Sequence, residues 1–289
     1  MTAVLDRTAT LDTVWLEITE RCQLGCPHCY ASSGPTGGHG TMTATDWCAV
    51  IDQAADLGVR LVQIIGGEPT LHPALPDLVD HALDLSLTVE IYSNLVRVPD
   101  RLWVTLLRPG VRLATSYYSA DPAEHERITG RKGSHALTRE TIAVALRRGV
   151  PLRVGLIDTG WGHVEGARAD LQSLGVPAAS ITVDRMRRIG RGARGAAFDP
   201  DELCGRCGDG RAAILPDGTL APCVMGRALA GGNVRITPLS DLLAGPQWAA
   251  ALGSVPRAHH GNGCSPSDGN DCSPASERAC TPDFEDAGV

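Results

Sequence analysis

The chain has no excess of positive charge, no long apolar run and no recognisable export signal. Its 26 lysines and arginines fall short of its 33 acidic residues, which leaves a net charge of −7. A surface of that balance does not draw nucleic acid in bulk. No stretch is apolar over the length a bilayer span requires. The first residues, MTAVLDRTATLD, lack the charged-then-apolar pattern of a secretory signal. Such a chain is expected in the cytoplasm, where thiols stay reduced, with neither membrane nor nucleic acid as a partner. Cysteine is what the sequence has in quantity, ten residues in 289. In a reducing compartment that number argues for metal over disulfides. Hydrophobic residues make up 43 %, enough for a sizeable core, and the length allows one barrel-type domain or a domain plus an appendage.

Three of the cysteines crowd one short segment. Cys22, Cys26 and Cys29 have the spacing C-x3-C-x2-C. Iron–sulfur clusters are held by Cys thiolates, and a four-iron cluster normally takes four. Three on one loop with no fourth nearby leave one iron free to bind a small molecule. A zinc loop is the alternative, with His39 as a fourth ligand, although zinc sites usually show paired C-x2-C units.

The cysteine spacing and Gly66-Gly67-Glu68-Pro69 together resemble the radical S-adenosylmethionine (SAM) superfamily. There the open iron is chelated by the amino and carboxylate groups of SAM, and an electron from the [4Fe-4S] cluster cleaves the sulfonium to a 5′-deoxyadenosyl radical. The resemblance implies that Gly66, Gly67, Glu68 and Pro69 receive the methionine ammonium, with Glu68 as its acceptor. It implies that Ser93, Asn94 and Ser116 face the ribose or methionine, and that Arg127, in a segment like the family's HDxxR, meets a carboxylate. His28 takes a position that often holds an aromatic over the adenine. Tyr30 shares that role or packs against the barrel.

Periodicity gives alternating strands and helices. Strands are expected at TVWLEI (13–18), VRLVQIIGG, LTVEIYSN, VRLATSYY, PLRVGLID and SITVDRM. Helices are expected from a capping box at Thr43 and Asp46 to about Leu57, at about 74–85, 100–107, 135–148 and 163–173. Six such repeats make a parallel α/β sheet. The polar motifs fall at strand C-terminal ends, the face that carries chemistry in barrels. The resemblance implies a partial (β/α)6 TIM-type barrel over 11–195. Within it, Arg185, Arg187, Arg188, Arg191 and Arg194 form a basic stretch, either a solvated loop or an anion site at the barrel mouth.

The remainder is cysteine-rich. Cys204 and Cys207 are followed by Gly218 and Cys223, and AILPDGTLAPC reads as a hairpin around Pro-Asp-Gly. This pattern is similar to the SPASM and twitch extensions of radical SAM enzymes, which implies at least one auxiliary [4Fe-4S] cluster within an extension over 196–282. The fourth thiolate would come from Cys264, Cys272 or Cys280, whose spacing departs from that of a full SPASM tail. A zinc ribbon using His259 or His260 is the alternative. Residues 283–289 read as a flexible acidic tail.

Relatives with such extensions often modify ribosomally made peptides. The expected function is therefore oxidative peptide modification by a side-chain crosslink. Peptide epimerisation, small-molecule dehydrogenation and non-catalytic metal binding are the alternatives. No room for a leader-peptide domain is read ahead of the first strand, so a separate leader-recognition protein is an expected partner, together with a reductant such as flavodoxin or ferredoxin.

Overall fold

Alternation along each strand decides how the sheet is used. In the computed structural model, which describes residues 11–160 and 162–256, β1 (Thr13–Glu17) sends Val14 and Leu16 into the main hydrophobic core. Thr13 and Trp15 line a cavity on the opposite face. The split recurs in β2 (Leu61–Ile65), with Val62 and Ile64 in the core and Gln63 and Ile65 on the cavity. It recurs in β3 (Thr88–Tyr92), β4 (Val111–Tyr117), β5 (Leu152–Asp158) and β6 (Ile181–Arg185). Successive side chains of a strand point to opposite faces, so one face is apolar and the other polar. Parallel sheets buried on both faces read as continuous apolar runs. Here only one face is sealed by helices, and the other is a lumen.

All neighbours from β1 to β6 are parallel and in chain order. The helices α1 (Ala44–Asp56), α2 (Leu75–Asp84), α3 (Trp103–Leu106), α4 (Pro122–Thr129), α5 (Ser134–Arg147) and α6 (Val164–Ser173) fill the crossovers. The sheet stays open at β6, so the barrel is partial, as expected. Helix α1 begins where the sequence placed it. The Thr43 hydroxyl accepts from the Asp46 amide at 3.1 Å, and the Asp46 carboxylate accepts from the Thr43 amide at 2.8 Å. A cap of this kind is worth about 1 kcal/mol. The expected helix over 100–107 is a 3-10 turn at Asp100–Leu102 followed by the short α3.

The chain past residue 195 extends the same sheet. Strand β7 (Arg211–Ile214) lies parallel beside β1, with Arg211 opposite Thr13. Strand β8 (Leu220–Ala221) returns antiparallel, which makes the expected hairpin. Gly218 in its turn has φ +86°, a conformation that suits glycine. Two helices that the periodicity left unassigned follow, α7 (Leu239–Ala244) and α8 (Pro246–Gly253). The Leu239 amide donates to the Gln53 side chain of α1 at 2.7 Å. Among the described residues no helix is long and apolar enough to cross a membrane. His259, His260, Cys264, Cys272, Cys280 and the tail over 283–289 lie outside the described residues.

Candidate active site

The cysteine loop leaves the end of β1 and is gripped from three sides. From β2, the Gly67 amide donates to the Thr19 carbonyl at 2.6 Å and the Glu68 amide to the Arg21 carbonyl at 2.8 Å. This approach needs glycine. A Cβ on Gly66, whose φ is +147°, would meet the Thr19 carbonyl oxygen at 2.5 Å, and one on Gly67 the Arg21 carbonyl oxygen at 2.4 Å. From α4, the Thr129 carbonyl accepts from the Gly25 amide at 3.1 Å and from the Cys26 thiol at 3.6 Å. From the segment after β6, the Arg191 guanidinium donates to the carbonyls of Cys26 at 2.9 Å and Ser33 at 2.6 Å. Part of the basic stretch is thus a brace for the loop. Arg185 and Arg188 pair with Glu202, and Arg187 pairs with Asp184.

Burial pushes the Cys22 thiol up to about 11 and the Cys26 thiol up to about 12, and the neighbouring cysteines add to both. The Cys22 and Cys26 thiols so placed resist becoming thiolates until a cation lies beside them. A metal inverts that preference and deprotonates them outright. The Asn94 amide nitrogen stands 3.6 Å from the Cys22 sulfur and the Leu24 amide 3.4 Å from it, donors suited to a ligated thiolate. The donor set therefore fits an iron–sulfur cluster.

One cavity of about 310 Å³ connects the site. Its walls include Cys22, Cys26, Cys29, His28, Tyr30, Gly66, Gly67, Ser93, Asn94 and Ser116, which brings most of the nominated residues together. His28 stands edge-on to Tyr118 at 5.1 Å, and burial holds its imidazole down to about 4. The Tyr30 hydroxyl is buried and has no hydrogen-bond partner among the described residues. The Ser116 hydroxyl and the Tyr92 phenol share a 3.0 Å contact.

Three nominated residues lie off the cavity wall. Glu68 is 0 % exposed and is absent from the cavity wall. Its carboxylate accepts from the Thr70 amide at 3.0 Å, the Thr70 hydroxyl at 2.6 Å, the Ser93 hydroxyl at 2.8 Å and the Asn94 amide at 2.8 Å. It ties the exit of β2 to the exit of β3 instead of offering itself to a ligand. Pro69 is buried at the start of a 3-10 turn behind it. Arg127 has a side chain 47 % exposed on α4 and grips Glu124 of its own helix at 2.9 and 2.5 Å. Helical spacing of three puts those two side chains together and turns Arg127 away from the cavity.

Sequence reasoning passed over His125, two residues before Arg127 in α4, and Tyr118. Both line the cavity with their rings 5.4 Å apart. His125 is 1 % exposed, and among the described residues its Nδ1 has no hydrogen-bond partner. The charged lumen was also passed over. Glu90 of β3 receives the Arg153 guanidinium at 2.8 and 2.6 Å and the Gln63 amide. Glu17 of β1 receives Arg227 at 3.0 Å. Polar residues at every second strand position were the available signal.

The second cysteine set faces the same cavity. Cys204, Cys207 and Cys223 line it, the Cys207 and Cys223 sulfurs are 2.9 Å apart, and the Gly226 amide donates to the Cys223 sulfur at 3.1 Å. Among the described residues no three Cys, His, Asp or Glu side chains are grouped to hold a single metal ion. A four-iron cluster instead takes one thiolate at each iron.

The family model for the radical SAM superfamily matches residues 16–170, more than half of the chain. The chain belongs to the radical SAM superfamily. SAM and one [4Fe-4S] cluster are the cofactors of that family. Among curated proteins, the chain is 34 % identical over 146 residues to the PqqA peptide cyclase of Xanthomonas axonopodis pv. citri. It is 33 % identical over 143 residues to that of Streptomyces rochei. The matched segments are 50 % and 49 % of this chain and span 39 % of the length of each relative. The fold is similar to that of Streptococcus suis SuiB bound to precursor peptide SuiA, with TM-score 0.72 and 15 % identity over 84 % of this chain and 67 % of that one. It is also similar to anSMEcpe with bound AdoMet and a peptide, with TM-score 0.65 and 11 % identity over 86 % of this chain and 84 % of the other.

Proposed function

We propose that this protein is a radical SAM enzyme that oxidatively modifies a ribosomally synthesised peptide by forming a side-chain crosslink. One observation carries the reading: both cysteine sets open onto a single cavity. When bound, SAM and its cluster supply a 5′-deoxyadenosyl radical able to remove hydrogen from an unactivated carbon. In this reading Cys22, Cys26 and Cys29 hold the cluster. Gly66 and Gly67 bring backbone groups to the methionine end, and Ser93, Asn94 and Ser116 provide hydroxyl and amide contacts. His28 and Tyr118 supply aromatic surface for the adenine, and Tyr30 closes the wall below them. Glu68 acts through Ser93 and Asn94 as a positioning residue.

Cys204, Cys207 and Cys223 would hold an auxiliary cluster, with a fourth thiolate from Cys264, Cys272 or Cys280. Once the first hydrogen atom has been removed, a crosslink must still release one electron and a proton, whereas a redox-neutral epimerisation takes a hydrogen atom back. A second cluster site on the same cavity therefore supports the oxidative reading. The named relatives, peptide cyclases, and the peptide-bound fold neighbours support a peptide as substrate. A cytoplasmic setting, a separate leader-recognition protein and a flavodoxin- or ferredoxin-type reductant complete the proposal.

The test is anaerobic incubation of the reconstituted protein with SAM, reductant and the short peptides encoded in neighbouring reading frames. The expected product has lost two hydrogens. An unchanged mass with deuterium gained from solvent would mean epimerisation and would reject the crosslink.

A further inference from the structure

The lumen carries more positive charge than the rest of the protein prepares for. Arg153, Arg185, Arg187, Arg206 and Arg211 line the cavity against a single acidic residue, Asp184, in a chain whose net charge is −7. Most of these cations are matched by a carboxylate on or behind the wall. Arg153 meets Glu90 at 2.6 Å, Arg185 meets Glu202 at 2.8 Å and Arg187 meets Asp184 at 2.9 Å. Behind the wall, Arg227 meets Glu17 at 3.0 Å. Arg206, half-buried, lies between Cys204 and Cys207 in the chain.

Arg211 breaks the pattern. It is only 8 % exposed, yet among the described residues its guanidinium has neither a carboxylate nor a hydrogen-bond acceptor. Its one recorded contact is the ring of Trp15, 5.9 Å from the guanidinium carbon. A buried cation without a counter-charge is unfavourable, so such a group is retained where something anionic completes it. The position limits what that is. Arg211 is in register with Thr13, the first residue of β1, whereas the cysteine loop leaves the far end of that strand. At about 3.3 Å per residue the two ends are about 13 Å apart. The cavity reaches both ends, and Thr13, beside Arg211 in the sheet, adds a neutral side chain to its wall.

We infer that Arg211 is the receptor for a carboxylate carried by the peptide substrate, which it draws to the floor of the lumen beneath the cysteine loop. This rests on the peptide-modifying reading above. A planar guanidinium backed by an indole presents its donor edge to a carboxylate in paired geometry. The carboxylate comes either from an Asp or Glu side chain or from the end of the peptide.

The test is anaerobic titration calorimetry of the reconstituted full chain with three probes: N-acetyl-Gly-Glu-Gly-amide, its Gln counterpart, and N-acetyl-Gly-Gly-Gly with a free carboxylate. One of the two acids is expected to bind about tenfold tighter than the Gln peptide, and which acid it is identifies the source of the carboxylate. Arg211→Met keeps the aliphatic stem over Trp15 and is expected to erase the preference. Equal binding of all three probes to the wild-type protein would overturn the inference without recourse to any variant. So would a preference that survives Arg211→Met. A variant that shifts the reduction potential of the auxiliary cluster and leaves the preference intact would make Arg211 that cluster's counter-charge instead. Wild-type formation of 5′-deoxyadenosine tests the underlying reading separately, so the two failures are distinguishable.

Discussion

The two cysteine sets look onto the same cavity from differently built walls. The first sits on a loop gripped by β2, by the end of α4 and by Arg191, with carbonyls and amides fixed on every side. The second hangs on a two-strand hairpin at the sheet edge and has Gly226 as its described amide donor. A site held by many independent contacts keeps its geometry when one is lost, and a hairpin site depends more on the metal itself. The first set therefore behaves as a preformed socket and the second as a site completed by its metal.

Removing a ligand from each set separates the two most sharply. Cys26→Ser is expected to abolish 5′-deoxyadenosine formation from SAM under reducing conditions. Cys207→Ser is expected to keep that activity and lose the crosslinked product, with iron falling from about eight to about four per chain. Loss of 5′-deoxyadenosine in both variants would erase the distinction. A smaller effect follows from the carboxylate behind the first socket. Glu68→Ala strands four donors and is expected to lower unfolding free energy by about 2–3 kcal/mol in denaturant titration. An unchanged midpoint would deny Glu68 its role as a tie.

Arg191→Met removes one brace and leaves the thiols in place. Its first cluster should lose iron to a chelator about tenfold faster, with the second unaffected. Equal loss from both clusters would mean the brace is not local. The smallest effect is a titration. Burial holds His125 down to about 4 from an ordinary 6.5. Between those values the unfolded chain binds the proton and the folded chain does not. Stability is therefore complete above about 6.5 and declines as pH falls towards 4. His125→Gln should flatten the pH dependence of unfolding across that window by up to about one proton. An unchanged slope would contradict the buried neutral imidazole.

What could be read from residues alone followed the physics of each signal. The capping box at Thr43, the glycines after β2 and the Pro-Asp-Gly hairpin are local, and each formed where expected. The roles given to Glu68 and Arg127 depended on which way a side chain turns. A carboxylate beside four donors and an arginine one helical turn from Glu124 both had nearer partners than a ligand. The joining of β7 to β1 needs a long-range pairing that no local pattern encodes. The charged lumen was written in the strands, as Glu17, Gln63, Glu90, Arg112, Arg153 and Asp184 at alternate positions. Reading it required knowing that, among the described residues, no helix covers the inner face of the sheet.

The central claim is that the Cys22, Cys26 and Cys29 cluster keeps one iron open for SAM. The direct measurement is electron paramagnetic resonance of the reduced cluster in a Cys204→Ala, Cys207→Ala, Cys223→Ala variant, before and after SAM is added. The account predicts about four irons per chain and a spectrum that changes when SAM binds. A loaded cluster whose spectrum ignores SAM, or zinc in place of iron on that loop, would contradict it.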